Sequence, residues 1–461
     1  MRQRSGLLAG IALLAAGATM ASPADDARIA AVENGLRPPV LLEGDKTWSL
    51  AERMKQFGVN GVSIAVIRDS KIEWAKGYGL ADVEAKQPAT AATLFQAGSI
   101  SKPVAAMGAL VLVQDGKLTL AGDVNQFLKS WKVPSNAHTA KTPVTLEELL
   151  SHTAGLTVHG FPGYAAGAAL PTVPQVLDGA APANTAPVRV DLDPGTQYRY
   201  SGGGYTIAQL AMTDVMGQPF PALMQKLVLG PLGMKESTYE QPLPAGLAAA
   251  AAAGYTADGK PVVGKRHVYP EMAAAGLWTT ASDLARFAIG LQKMLGGARG
   301  PLTKASAENM VTPRRDDYAL GLGIRDEGGA KYFMHGGADE GFQAQLVTSE
   351  NRGYGAIVMT NSDNGHFLIE EIVRSIAAAY YWEGYQIEAL AVAKLSPETL
   401  ATFAGRYRLG ADTILVVAPA GGGLEVKAAL GSAFTLVPVS AQAFVRRDEE
   451  TRYAFGRRPD G

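Results

Sequence analysis

The chain has 461 residues, 47% of them hydrophobic and 18% charged, with 42 basic against 43 acidic side chains. Those values describe an ordinary globular protein of two or three domains, and so even a charge balance gives no electrostatic basis for nucleic-acid binding. The absence of cysteine excludes disulfides, thiolate catalysis and Cys-ligated zinc. The six histidines form no HExxH motif, and His152 and His159 have no carboxylate at a recognised metal spacing, so neither a metal nor a cofactor is expected.

The first residues are an export signal by pattern. Met1-Arg-Gln-Arg4 is basic, Leu7 to Ala18 is apolar and rich in small residues, and Thr19-Met-Ala21 has the form of a cleavage site. A retained anchor is the alternative, but the apolar run is short for a bilayer span. Residues 1–21 are therefore expected to be a signal peptide of a periplasmic or secreted bacterial protein, with no stable membrane insertion after its removal.

From residue 25 to 60 the pattern is a leader and an amphipathic helix, with Trp48, Leu50, Met54 and Phe57 on one stripe. Val62–Ile67 and Ile72–Tyr78 predict a hairpin across an Arg68–Lys71 turn. Pro103 to Gln114 predicts a helix apolar on all sides, hence a central, buried one. Thr145 and Glu148 form a capping box before a short helix. Residues 157–197 are rich in Pro, Gly and Ala, which predicts an irregular region of the kind that frames a site. Helices are expected over 203–216, 219–229 and 284–295. Short strands follow at 331–334, 343–348 and 355–359, then a long amphipathic helix over 367–382.

This order predicts an α/β (α+β) fold: an antiparallel sheet made from both chain ends, flanked by helices, around an inserted helical region at about 120–310. A hydrolase-sized domain would cover 25–390. Residues 383–396 have the character of a linker. Six short strand patterns between 403 and 455 predict a small antiparallel β domain over 397–461.

Four stretches are dense in small and polar residues: Gly98-Ser-Ile-Ser-Lys102, Ser151-His-Thr-Ala-Gly155, Tyr198-Arg-Tyr-Ser-Gly-Gly-Gly-Tyr205 and His335-Gly-Gly-Ala338. Ser99 and Lys102 are one helical turn apart and share a face, which suits a nucleophile with a proton acceptor. By composition either Tyr198 or Tyr200 could be the third group; position relative to Ser201-Gly-Gly-Gly-Tyr205 favours Tyr200. Ser101 and His152 fit structural roles, bonding to backbone behind the site. The glycine run is no phosphate loop, because no GKS/T pattern accompanies it.

Taken in this order, the motifs resemble the serine β-lactamase and penicillin-binding protein superfamily. The closer likeness is to the branch with class C β-lactamases, DD-carboxypeptidases, D-aminopeptidases and β-lactamase-like carboxylesterases. The resemblance covers about residues 45–385. It implies Ser99 as the acylated nucleophile, Lys102 as its proton acceptor and Tyr200 as the proton relay. It implies an oxyanion hole from the backbone N–H groups of Ser99 and Ala338, and a substrate-binding strand at His335, Gly336 and Gly337. His335 would remain neutral and donate to a substrate oxygen. Gly202, His159, Trp278 and Tyr318 are candidate substrate-lining residues, with core packing the competing role for the last two.

Two departures bear on substrate. Where many relatives have Tyr-x-Asn, this chain has Tyr200-Ser-Gly202, so the amide that would bind an acylamino side chain is missing. The third motif has His335 in place of lysine. Both point away from efficient β-lactam hydrolysis and toward a carboxylesterase-type activity on small esters or amides. The alternative is a D-aminopeptidase or DD-carboxypeptidase acting on D-amino-acid peptides. A non-catalytic binding protein on the same fold is a lesser one.

Overall fold

The computed structural model describes residues 23–409, 413–428 and 433–456. The expected signal peptide lies outside them. Two helices open the described chain, α1 (Pro23–Glu33) and α2 (Leu50–Phe57). Ser49 and Glu52 cap α2 reciprocally, satisfying backbone N–H groups that a helix start leaves free. The hairpin β1 (Gly61–Arg68) and β2 (Lys71–Asp82) follows, then the short β3 (Gln87–Pro88) and β4 (Phe95–Gln96).

The central helix α3 (Ser101–Gln114) is buried on all sides from Ser101 to Leu112, as its unbroken apolarity predicts. The inserted region then supplies α4 (Leu146–Leu150), α5 (Val173–Asp178), α6 (Gly202–Met216), α7 (Phe220–Met224), α8 (Met272–Ala275), the two-residue β5 (Trp278–Thr279), α9 (Ala281–Leu295) and α10 (Lys304–Val311). The chain returns through β6 (Gly323–Glu327), β7 (Ala330–Asp339), β8 (Phe342–Ser349) and β9 (Gly355–Thr360) before α11 (Gly365–Ala379).

The main sheet has seven strands in the order β3-β2-β1-β9-β8-β7-β6, with every neighbouring pair antiparallel. The pairing of β1 with β9 joins the two chain ends, as the strand–helix–strand order predicts. α1, α2 and α11 cover one face around Val62, Ile64, Val358, Leu368 and Ile372. α9 and the helical region cover the other, around α3. Arg53 and Glu371 form a buried ion pair between α2 and α11.

After α12 (Pro397–Ala401) come β10 (Gly405–Leu409), β11 (Thr413–Ala420), β12 (Gly423–Ala428), β13 (Phe434–Pro438), β14 (Ala443–Arg446) and β15 (Arg452–Ala454). They form a separate six-stranded sheet in simple sequence order, with its own core of Leu400, Val417, Leu424, Val426, Leu436 and Phe444.

Several expected bounds shift. The helix expected from residue 284 starts at Ala281, because the Thr280 hydroxyl caps it by accepting the Asp283 N–H at 3.1 Å. The helix expected to reach Trp382 ends at Ala379, and Trp382 turns back into the core. The irregular stretch 157–197 holds the short α5, started by a Thr172–Gln175 capping box. β6 and α10 lacked a clear sequence signal.

Candidate active site

Ser99 sits on a short 3-10 turn, Gly98–Ile100, that runs directly into α3. The register of β6 with β7 stops at Met334, so from His335 onward that edge of β7 is open, and the turn packs against it. The fit demands glycine. Gly98 has a φ of 50°, and a Cβ on it would lie 2.5 Å from the Ala338 nitrogen. A Cβ on Gly337 would overlap the Ala97 carbonyl oxygen. Beneath the turn, Ser101 Oγ donates to Gly98 O at 2.6 Å and accepts the Leu277 N–H at 2.9 Å. That is the backbone role its position suggested.

Lys102 is 2% exposed. Its Nζ donates to Ser99 Oγ at 2.9 Å and to Ala274 O, in α8, at 2.8 Å. Burial disfavours the ammonium and pulls its pKa down to about 7, with the Asp339 carboxyl group opposing the shift. Nζ also stands 4.9 Å from the centroid of the Tyr200 ring.

Tyr200 immediately precedes Ser201, whose hydroxyl caps α6. His152 grips the backbone on both sides of it: its carbonyl accepts the Arg199 N–H at 2.8 Å and its Nδ1 accepts the Ser201 N–H at 3.1 Å. The His152 ring packs 4.1 Å from that of Tyr200. Desolvation drives the His152 pKa well down, so the ring stays neutral and Nδ1 stays an acceptor. Burial raises the pKa of the Tyr200 phenol, and the neighbouring Ser99 hydroxyl opposes that shift. Tyr198 lines the same cleft, with its ring 5.3 Å from that of Tyr318.

His335 is placed at the site but is not free to donate. Its Nδ1 lies 2.6 Å from Gly336 O and its Nε2 lies 3.0 Å from the Tyr318 hydroxyl. Burial, then the nearby Lys102 charge, bring its pKa down to about 3. A neutral ring in this setting carries its proton on Nδ1 and accepts the Tyr318 O–H at Nε2. The expected donation to substrate is therefore replaced by an internal bond, and Tyr318 is the residue that completes it. No sequence pattern links Tyr318 to His335.

These residues line a cleft of about 850 Å³ together with His159, Gly160, Phe161, Gly336, Gly337 and Ala338. The His159 ring lies 4.8 Å from Tyr200. Gly202 is buried, and a Cβ there would meet Phe161 Cε2 at 2.9 Å and His159 O at 3.1 Å. The loop carrying His159 and Phe161 thus fills the space that a longer side chain at 202 would need. Trp278 sits in the core, at 1% exposure, packed edge-on to Phe342, rather than on the cleft. Its strand partner is β4, which leads into the Ser99 turn, so its part is to support that turn. A cavity of about 920 Å³ lies between α11 and the small β sheet, and no serine or lysine lines it. Among the described residues no group of His, Asp and Glu could hold a metal ion.

Residues 49–380 match the family model described as Beta-lactamase. The chain belongs to that family. Within it the likeness is to the class C β-lactamase-like branch of the serine-hydrolase and penicillin-binding protein superfamily. A β-lactamase of Pseudomonas fluorescens is 31% identical over 244 residues, covering 51% of this chain and 60% of that protein. Esterase EstB of Burkholderia gladioli is 30% identical over 200 residues, covering 40% and 48%. The matches span about half to three fifths of these curated relatives' length. The octameric penicillin-binding protein homologue from Pyrococcus abyssi shares the fold, with a TM-score of 0.60, 22% identity and coverage of 87% of this chain and 93% of that one.

Proposed function

We propose that the protein is a serine acyl hydrolase working through an acyl-Ser99 intermediate, with small esters or amides as substrates and little or no β-lactamase activity. The observation that carries this reading is the buried Lys102 Nζ, 2.9 Å from Ser99 Oγ with its pKa lowered to about 7. A serine hydroxyl is a weak nucleophile until a base takes its proton, and a lysine can act as that base near neutral pH only when desolvated.

In the reaction, neutral Lys102 accepts the Ser99 proton as Oγ bonds to the substrate carbonyl carbon. The carbonyl oxygen gains charge and is held by the Ser99 and Ala338 N–H groups, a pairing supported by the close approach of Gly98 to Ala338. Removing one such donor in comparable sites costs about 3 kcal/mol. Tyr200, on the same cleft as Ser99 and beside Lys102, passes the proton to the leaving group and then helps remove one from the attacking water.

Two features support an ester or small-amide substrate over a β-lactam. The His335 position offers no positive charge, since the ring is neutral and occupied by Tyr318. The Gly202 position is closed by Phe161. The test is a substrate panel. Hydrolysis of p-nitrophenyl acetate and butyrate, no turnover of nitrocefin, and loss of both ester activities in S99A are expected. Release of D-alanine from a D-Ala-D-Ala peptide at a higher kcat/KM than ester hydrolysis would overturn the substrate assignment.

A further inference from the structure

The cleft does not end at the catalytic residues. Met334, Gln345, Ile369 and Glu370 line both the active-site cleft and the second cavity of about 920 Å³, so the two spaces meet across these side chains. One face of α11 runs through both. His366, Ile369 and Glu370 border the catalytic space, and Ile369, Glu370, Val373 and Arg374 border the second. Residues at these spacings form a single helical stripe. At about 1.5 Å per residue, the stripe from His366 to Arg374 extends about 12 Å.

The far wall is the C-terminal sheet, which contributes Val445 and Arg452. That sheet is docked, not merely tethered. Val40, Leu42 and Val445 are buried together. Leu390 donates its N–H to Leu41 O and accepts that of Glu43, each at 2.9 Å, and Arg447 pairs with Asp45 at 2.6 Å. The lining of the second cavity has an apolar part, with Met334 and Val347 from the main sheet and Ile369 and Val373 from α11. Charges around it mostly answer one another: Arg325 with Glu327, Arg374 with Glu370 at 3.6 Å, and Asp448 and Glu449 with Arg446. Six acids against three arginines on the lining disfavour a carboxylate at the far end.

We propose that the two cavities form one substrate groove, in which the second takes an unbranched apolar chain, free of negative charge at its far end, attached to the carbonyl that Ser99 attacks. A run of about 12 Å holds about ten atoms of an extended chain. The preferred substrate therefore carries a medium-length chain, longer than that of acetate or butyrate. The C-terminal sheet closes the end of the groove and so limits the chain length. The chain joins the reacting carbonyl through its acyl carbon or through its alcohol, and the apolar chain is the shared requirement. This inference rests on the acyl-Ser99 reading of the site.

Chain length is the test. kcat/KM is measured on p-nitrophenyl esters from acetate to dodecanoate and on alkyl acetates from ethyl to dodecyl, with S99A as control. Complete burial is worth about fourfold per methylene, so an open groove should give about twofold. At least one series should rise by that factor up to about ten carbons and then level. A rising acyl series places the acyl chain in the groove, and a rising alkyl series places the alcohol there. Profiles flat beyond the four-carbon chain in both series overturn the proposal. Glu370→Trp sets a bulky ring where the cavities meet and should cut the eight-carbon to two-carbon preference of the rising series by about tenfold. An unchanged preference also overturns it. Should that variant not fold, Ile387→Trp, at a half-buried position lining the second cavity alone, is expected to cut the ten-carbon preference in the same way and decides instead. Ester hydrolysis that persists in S99A defeats the acyl-Ser99 reading, whereas serine-dependent hydrolysis with flat profiles defeats only the groove. If no ester is cleaved, calorimetric binding of octan-1-ol to wild type and Glu370→Trp decides the groove: weaker binding by the variant supports it, and equal affinities overturn it.

Discussion

Replacing Lys102 by methionine should stabilise the fold while abolishing the chemistry. The side chain is 2% exposed, and burial takes its pKa from 10.5 to about 7. Such a drop corresponds to about 5 kcal/mol of folding free energy spent on keeping an ammonium buried. The sign follows from proton binding. Between pH 7 and 10.5 the unfolded chain holds a proton that the folded one has released, so wild-type stability rises with pH across that window. Below pH 7 the full cost is present. Methionine keeps most of the volume but leaves Ala274 O and Ser99 Oγ without the Nζ partner, a loss of about 2 kcal/mol. The net expectation is a gain of about 3 kcal/mol for Lys102→Met at pH 6, changing to a small loss at pH 10.5. Urea unfolding of both proteins at those two pH values, with the catalytic rate measured alongside, gives the result. A Lys102→Met variant less stable than wild type at pH 6, or a difference that does not change with pH, would refute the argument that Lys102 is held as a strained, near-neutral base.

Ester hydrolysis should follow an acid limb in kcat/KM near pH 7, since only neutral Lys102 can accept the serine proton; a rate independent of pH between 5 and 8 counts against that base. His335→Asn should leave this limb within about half a unit, because the imidazole is already neutral above pH 5, and a larger displacement would show that His335 carries charge in the reaction. Gly337→Ala should reduce kcat by about a hundredfold, because its Cβ would push the Ala97 carbonyl and the nucleophile turn off β7; steady-state kinetics at near-wild-type activity would show the turn to be free to move. Away from the site, Glu371→Ala leaves Arg53 buried without its partner and should cost about 3–5 kcal/mol in urea unfolding, a loss under 1 kcal/mol contradicting the burial argument.

The main elements were legible because their signals are local. Residues 62–67 alternate with a turn and a second strand, the 103–114 run is apolar on every side, and Thr145 and Glu148 cap a helix by spacing alone. Ser99, Lys102 and Tyr200 were candidates from motif order, and the structure brings them together at one cleft. Long-range pairings left no such trace. The bond from Tyr318 to His335 joins a loop residue to a strand, and only the folded chain shows that it occupies the imidazole. The closure of Gly202 by Phe161 depends equally on a loop path that residues 157–197 do not encode by periodicity. Trp278 was ambiguous between cleft and core because a large aromatic side chain serves either place.

The central claim is that Ser99 is the group that becomes acylated. Intact-mass measurement after treatment with a fluorophosphonate at pH 8 tests it directly, followed by peptide mapping. The account predicts one added equivalent on the peptide containing Ser99 and none in folded S99A. Labelling that persists in S99A, or a folded wild type that takes no label, would contradict it.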